Sequence, residues 1–116
     1  MVVSHVYPYL RFRCQVRGQE LSDLAYVDTG FDGGLIAPQK EALRLGSPDE
    51  VISVELGDGS SSLALVYRAV ITVDGLQGFQ VLTSVLCLGN EYLLGREVID
   101  KLRICFHHGE RVEVEL

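Results

Sequence analysis

Short runs rich in β-branched and aromatic residues, broken at close intervals by glycine-bearing turns, recur along the whole chain and leave little room for helix. The runs read VYPYLRFRCQV, LAYVD, VISVEL, LALVYRAVITV, FQVLTSVLCL, RICFHH and RVEVEL. Side chains of this kind suit a pleated, half-buried surface. Between them fall Arg17-Gly18-Gln19, Gly57-Asp58-Gly59, Asp74-Gly75, Gly89-Asn90 and His108-Gly109-Glu110. Each carries a Gly where a hairpin turn needs positive φ. Only two stretches read as helix. Residues 38–45 open on Pro38 and stop at Gly46, and residues 96–102 set Val98, Ile99 and Leu102 on one face. The expected fold class is all-β with one or two short helices.

At 116 residues the chain has room for one domain, residues 1–116. Hydrophobic residues make up 47% and charged residues 22%, a globular composition. The formal charge of −6 argues against non-specific binding to nucleic acid or to anionic membranes, which needs a positive field. No apolar run approaches the ~20 residues that cross a bilayer. The opening MVVSHVYPYLRFR has neither the apolar core nor the cleavage site of a signal peptide, so the expected location is the cytoplasm. Cys14, Cys87 and Cys105 are odd in number and form no CxxC pair. They predict buried free thiols rather than a disulfide framework or a zinc ribbon.

A weak internal repeat lays Leu10–Gly18 over Tyr67–Gly75 at an offset of 57. Each copy is a strand that ends in a Val-x-Gly turn and feeds a second strand. In the first copy that strand runs into Val27-Asp28-Thr29-Gly30, and in the other into Tyr92-Leu93-Leu94-Gly95.

The segment Ala25-Tyr26-Val27-Asp28-Thr29-Gly30-Phe31-Asp32-Gly33-Gly34 is the most unusual in the chain. An apolar strand delivers a carboxylate into a Thr-Gly turn, followed by a second Asp and two more glycines. A carboxylate at the end of a buried strand is costly unless donors surround it, and the N–H groups of a tight turn supply them. The same residues also suit a plain Asx turn closing a hairpin.

This stretch resembles the active-site loop of retropepsin-like aspartic proteases, most closely the small bacterial and archaeal members. The strand Leu24-Ala25-Tyr26-Val27 precedes Asp-Thr-Gly, a flap candidate spans residues 51–73, and Leu93-Leu94-Gly95-Arg96-Glu97-Val98-Ile99 supplies the later apolar-apolar-Gly motif. The resemblance covers roughly residues 10–108. It implies a closed acid-protease-type β-barrel with a flap hairpin and an internal pseudo-twofold. It implies an aspartic endopeptidase that needs no cofactor or metal and forms no covalent intermediate. Catalysis would fall to Asp28, Thr29 and Gly30. Substrate would meet Phe31, Asp32 and the flap tip Gly57, Asp58, Gly59 and Ser60. Asp32 and Arg96 stand where viral relatives carry a structural ion pair, so that pair is expected here, locking the loop to the helix. Asp-Thr-Gly occurs once, so the chain would meet a second copy of itself, with the two Asp28 carboxylates at a twofold axis. Two departures stand out. Phe31 replaces the usual small residue of the viral members, and Ser60 to Ser62 replace their flap glycines.

Other constellations are weaker. His5, His107, His108 and Cys105 suggest a metal, but strand alternation sends His107 and His108 to opposite faces, and no metal site is expected. Ser60, His107 and Asp58 make a triad on paper without a nucleophile elbow. The alternating tail Arg111–Leu116 buries one face, either interleaved with a partner or packed on its own barrel. Two non-enzymatic readings stay open. One is a peptide-binding or dimerisation module on the same fold, the other a β-barrel subunit of a larger assembly.

Overall fold

A computed structural model describes all 116 residues. The chain is mostly strand, in the order β1 (Val2–Ser4), β2 (Tyr9–Val16), β3 (Gln19–Val27), β4 (Leu35–Ala37), β5 (Glu50–Glu55), β6 (Ser61–Val73), β7 (Val81–Cys87), β8 (Leu93–Leu94), β9 (Arg103–His107) and β10 (Arg111–Glu115). Helix is confined to α1 (Ala42–Leu45), entered through a 3₁₀ turn at Gln39–Glu41, and α2 (Arg96–Ile99). Both helices are shorter than the sequence pattern predicts. The first begins as a 3₁₀ turn, and the second ends at Ile99, with Leu102 already on the way into β9. None is long and apolar enough to cross a membrane.

The turn chemistry acts as its residues predict at three positions. Arg17 and Gly18 both take positive φ, 50° and 80°, which matches the twist of the β2–β3 hairpin they close. His108 and Gly109 do the same between β9 and β10, at 52° and 70°. Gly75, at φ 88°, turns the chain out of β6 and lies against Val2 of β1, where any Cβ would strike the valine. Gly89-Asn90 is different. It does not close a hairpin, because β8 pairs with β3 and β4 instead of folding back on β7.

The larger sheet has the order β2-β3-β8-β4-β7-β6-β5, and β2 also pairs with β6, so the ladder returns to its starting strand. With β5 set aside, the pairing diagram maps onto itself when β2, β3 and β4 are exchanged with β6, β7 and β8. Antiparallel β2–β3 becomes antiparallel β6–β7, and parallel β3–β8 becomes parallel β7–β4. This supports the internal repeat but reassigns half of it. The counterpart of β3 is β7, and Leu93-Leu94 answers Leu35-Ile36 at a separation of 58, each pair leading towards a short helix.

The core fills the space that this ladder encloses. Alternation along β2 buries Leu10, Phe12, Cys14 and Val16 while Arg11, Arg13 and Gln15 face out. Tyr67, Ile71, Val85, Leu94 and Val98 belong to the same buried cluster. Tyr67 is fully buried, and its hydroxyl donates to the Gly46 carbonyl at 2.6 Å, which satisfies its polar end and anchors the end of α1.

The smaller sheet has the order β1-β10-β9. Strand β10 lies in its middle, paired on both edges within the chain, with Val112 and Val114 fully buried in the common core. The alternating tail thus packs on its own subunit. One thiol departs from expectation. Cys14 and Cys87 are buried, but Cys105 is exposed, because it falls opposite Glu113 on the outer face of this sheet.

Candidate active site

Strand β3 ends at Val27, and the next residue leaves the ladder. The Asp28 N–H still donates to the Leu94 carbonyl at 3.0 Å, which fixes the start of the loop against β8. The chain then turns tightly. Gly30 N–H donates to Asp28 Oδ1 at 2.9 Å, and Phe31 N–H to the Asp28 carbonyl at 3.3 Å. The Asx turn and the catalytic-loop reading are therefore the same object at the level of the backbone. Asp28 is half-buried, and Thr29 and Gly30 are exposed beside it. One carboxylate oxygen is held by a main-chain donor while the group keeps a path to solvent.

Three main-chain hydrogen bonds stitch this loop to the β8–α2 junction. Gly95 donates to Gly34 at 2.8 Å, Arg96 to Phe31 at 2.8 Å and Glu97 to Gly33 at 3.1 Å. The close approach depends on missing side chains. A Cβ on Gly95 would collide with the Gly33 carbonyl oxygen and the Phe31 ring, and one on Gly33 would come within 2.5 Å of the same ring. Phe31 lies over these glycines as a half-buried lid, so its bulk is accommodated by the space they leave. A Cβ on Gly34 would strike Thr83 of β7.

The expected Asp32–Arg96 ion pair does not form. Arg96 Nε pairs with Asp100 Oδ2 at 3.1 Å, one helical turn on, and Asp32 stays exposed without a cationic partner. Main-chain bonds already hold loop and helix together, so the guanidinium is left to the nearest carboxylate on its own helix.

Strands β5 and β6 form an antiparallel hairpin over the residues expected as a flap, and its tip is built as a small turn. Leu56 N–H donates to the Ser60 carbonyl at 2.7 Å, and Asp58 Oδ1 accepts from Ser60 N–H at 2.9 Å and from Ser60 Oγ at 2.5 Å. The Ser60 hydroxyl, and after it the Ser60 N–H, hold the Asp58 carboxyl below its ordinary range. Gly57, Asp58, Gly59 and Ser60 are all exposed at this tip.

The root of the hairpin, not its tip, faces the Asp28 loop. A cleft of about 270 Å³ separates Phe31, Asp32, Gly33 and Gly34 from Glu50, Ile52 and Val66, with Ser84, Leu86 and Glu97 at its other wall. Of the residues given a catalytic or substrate-binding role from the sequence, only Phe31 and Asp32 line it. The strand-borne members of β5 and β6 had no site role in the sequence because cross-strand register brings them there: Glu50 lies opposite Val66, and Ile52 opposite Ala64. Glu97 Oε2 accepts from the Thr83 hydroxyl, tying α2 to β7. Two larger hollows of about 660 Å³ lie elsewhere, around residues 72–80 and between α1 and β6, and neither touches the Asp28 loop.

No group of three or more His, Cys, Asp or Glu side chains converges in a way that could hold a metal. His107 Nε2 instead sits 2.6 Å from Glu113 Oε2 on the outer face of the small sheet. Ser60 and Asp58 meet at the flap tip, while His107 belongs to β9, so the paper triad has no structural basis. No protein-family model and no curated protein sequence matches the chain.

Proposed function

We propose that the chain is a retropepsin-like aspartic endopeptidase that works as a homodimer, each subunit contributing one Asp28. The observation that carries this reading is the loop itself. A half-exposed Asp28 sits at the end of a core strand, one oxygen held by Gly30 N–H, and the residues just after it, Phe31 to Gly34, line a cleft shared with the root of the β5–β6 hairpin. The ladder that returns to β2 supports a closed acid-protease-type barrel, and its twofold pairing pattern suits that fold.

The chemistry needs a second carboxylate. The loop after β7, Leu88-Gly89-Asn90-Glu91, has no Asp-Thr-Gly, so one chain supplies one such loop. An isologous pair would bring two together. Two carboxylates in close contact cannot both ionise, so one stays protonated. The ionised one takes a proton from water as it attacks the peptide carbonyl, and the protonated one donates to the carbonyl oxygen. Collapse of the tetrahedral adduct then passes a proton to the departing nitrogen. Thr29, exposed beside Asp28, would hold the paired loops across the axis. An extended peptide would lie between loop and flap in strand-like fashion. Free buried thiols at Cys14 and Cys87 suit a reducing compartment such as the cytoplasm.

The test is a mixed peptide library incubated from about pH 4 to 7, a span that brackets carboxylate titration. Parent and Asp28→Asn proteins are compared by mass spectrometry, with sedimentation run on both. Cleavage by the parent and none by a variant of the same oligomeric state is expected. A parent that is monomeric even with a peptide inhibitor present, or a dimer that cuts nothing, would overturn the reading. A dimer that binds peptide without cutting it would be the binding module instead.

A further inference from the structure

We propose that the cleft beside the Asp28 loop accepts a basic substrate side chain, so that the enzyme selects peptides with lysine or arginine near the scissile bond. This inference rests on the peptidase reading and names its substrate class. The walls of the cleft are apolar, from Phe31, Ile52 and Leu86, and its charged members are Asp32, Glu50 and Glu97. No Lys or Arg lines it. Three arginines are engaged elsewhere: Arg96 pairs with Asp100, Arg44 with Glu41, and Arg17 with Asp49. None of the three cleft carboxylates takes part in an ion pair within the chain, and only Glu97 has a side-chain partner, the Thr83 hydroxyl. Arg68 borders a neighbouring groove that shares Ser84 and Glu97, but it does not enter this one.

Such a lining discriminates in two ways. A lysine or arginine lays its aliphatic stem along the apolar wall and carries its charge to the rim, where the carboxylates have no cationic partner. A neutral apolar side chain gains the wall but shields those carboxylates from water without compensation, and an acidic one meets like charge. The cleft has space for one extended side chain, so the preference belongs to one substrate position.

The experiment places Lys, Arg, norleucine or Glu at each position of a cleaved peptide in turn. It measures kcat/KM with the parent and binding by fluorescence anisotropy with Asp28→Asn. At one position Lys and Arg should be favoured over norleucine by about tenfold, with Glu weaker still. In an Asp32→Asn, Glu50→Gln protein the Lys-to-norleucine ratio should fall to about one, and because a ratio does not depend on how much protein is folded, lost stability cannot imitate the result. Norleucine equal to or better than Lys at every position would overturn the proposal, as would a ratio that the double substitution leaves unchanged. The two readings separate cleanly. Cleavage without a basic preference keeps the peptidase and removes the specificity. Selective binding of Lys peptides without cleavage does the reverse. Neither binding nor cleavage removes both.

Discussion

Gly95 shows most clearly how single residues build the site. Its missing Cβ lets the β8–α2 junction come close enough to the Asp28 loop for three main-chain hydrogen bonds. Gly95→Ala would push against a backbone carbonyl that has nowhere to go, and should cost about 2–3 kcal/mol in urea unfolding. Gly57→Ala is the control. It sits in open space at the flap tip without positive φ and should change stability little. The thiols give a second residue-scale test. Burial, with Cys87 adding to it, pushes Cys14 up to about 12, and burial pushes Cys87 up to about 11. Thiolate is the reactive form, so with native protein a disulfide reagent at pH 8 should modify only Cys105 quickly, and all three after unfolding. Fast labelling of two or three thiols in the folded state would contradict this packing. Sequence alone misplaced Cys105, because which face of an alternating strand points outward is settled by its neighbours and not by its own pattern.

At the scale of elements, the flap hairpin is anchored at its root by Asp49. Its Oδ2 accepts from the Arg68 N–H at 2.8 Å and its Oδ1 from the Arg17 guanidinium at 2.9 Å. The Arg68 N–H first, then Arg17, hold the Asp49 carboxyl below its ordinary range. A depressed folded value means that the anchor stabilises the protein above the unfolded pKa, near 4, and is lost as pH falls through the folded one. Asp49→Asn should lower Tm at pH 7, and the gap from the parent should narrow as the pH falls below about 4. A gap that stays constant across that range would mean the anchor carries no charge-dependent stability. The flap was legible in the sequence because VISVEL and LALVYRAVITV flank a Gly-Asp-Gly turn at hairpin spacing. The short strands were not. β1, β4 and β8 span two or three residues each, too few for any period to declare itself. The Asp32–Arg96 pair failed for a different reason. Matching residue types at matching positions does not say which carboxylate a flexible guanidinium will take when Asp100 stands one turn away.

For the whole molecule, the deciding feature is an internal twofold with one acidic loop. Strands exchange in pairs across the ladder, but only the first half carries Asp-Thr-Gly. The repeat was visible as an offset of 57 between two strand-turn units, yet its true partner strands emerged only from the pairing of β3 with β8 and β4 with β7. The chain's own small sheet already holds β10 on both edges, so the proposed dimer would not insert that strand between partners. In the proposed mechanism, catalysis takes one Asp28 from each of two chains. It is tested most directly by mixing parent and Asp28→Asn proteins, re-equilibrating the subunits and measuring peptide cleavage at fixed total protein. A shared dyad predicts that activity falls as the square of the parent fraction, to about one quarter in an equal mixture. A fall in simple proportion, to about one half, would mean that each chain carries a complete site and would contradict the account.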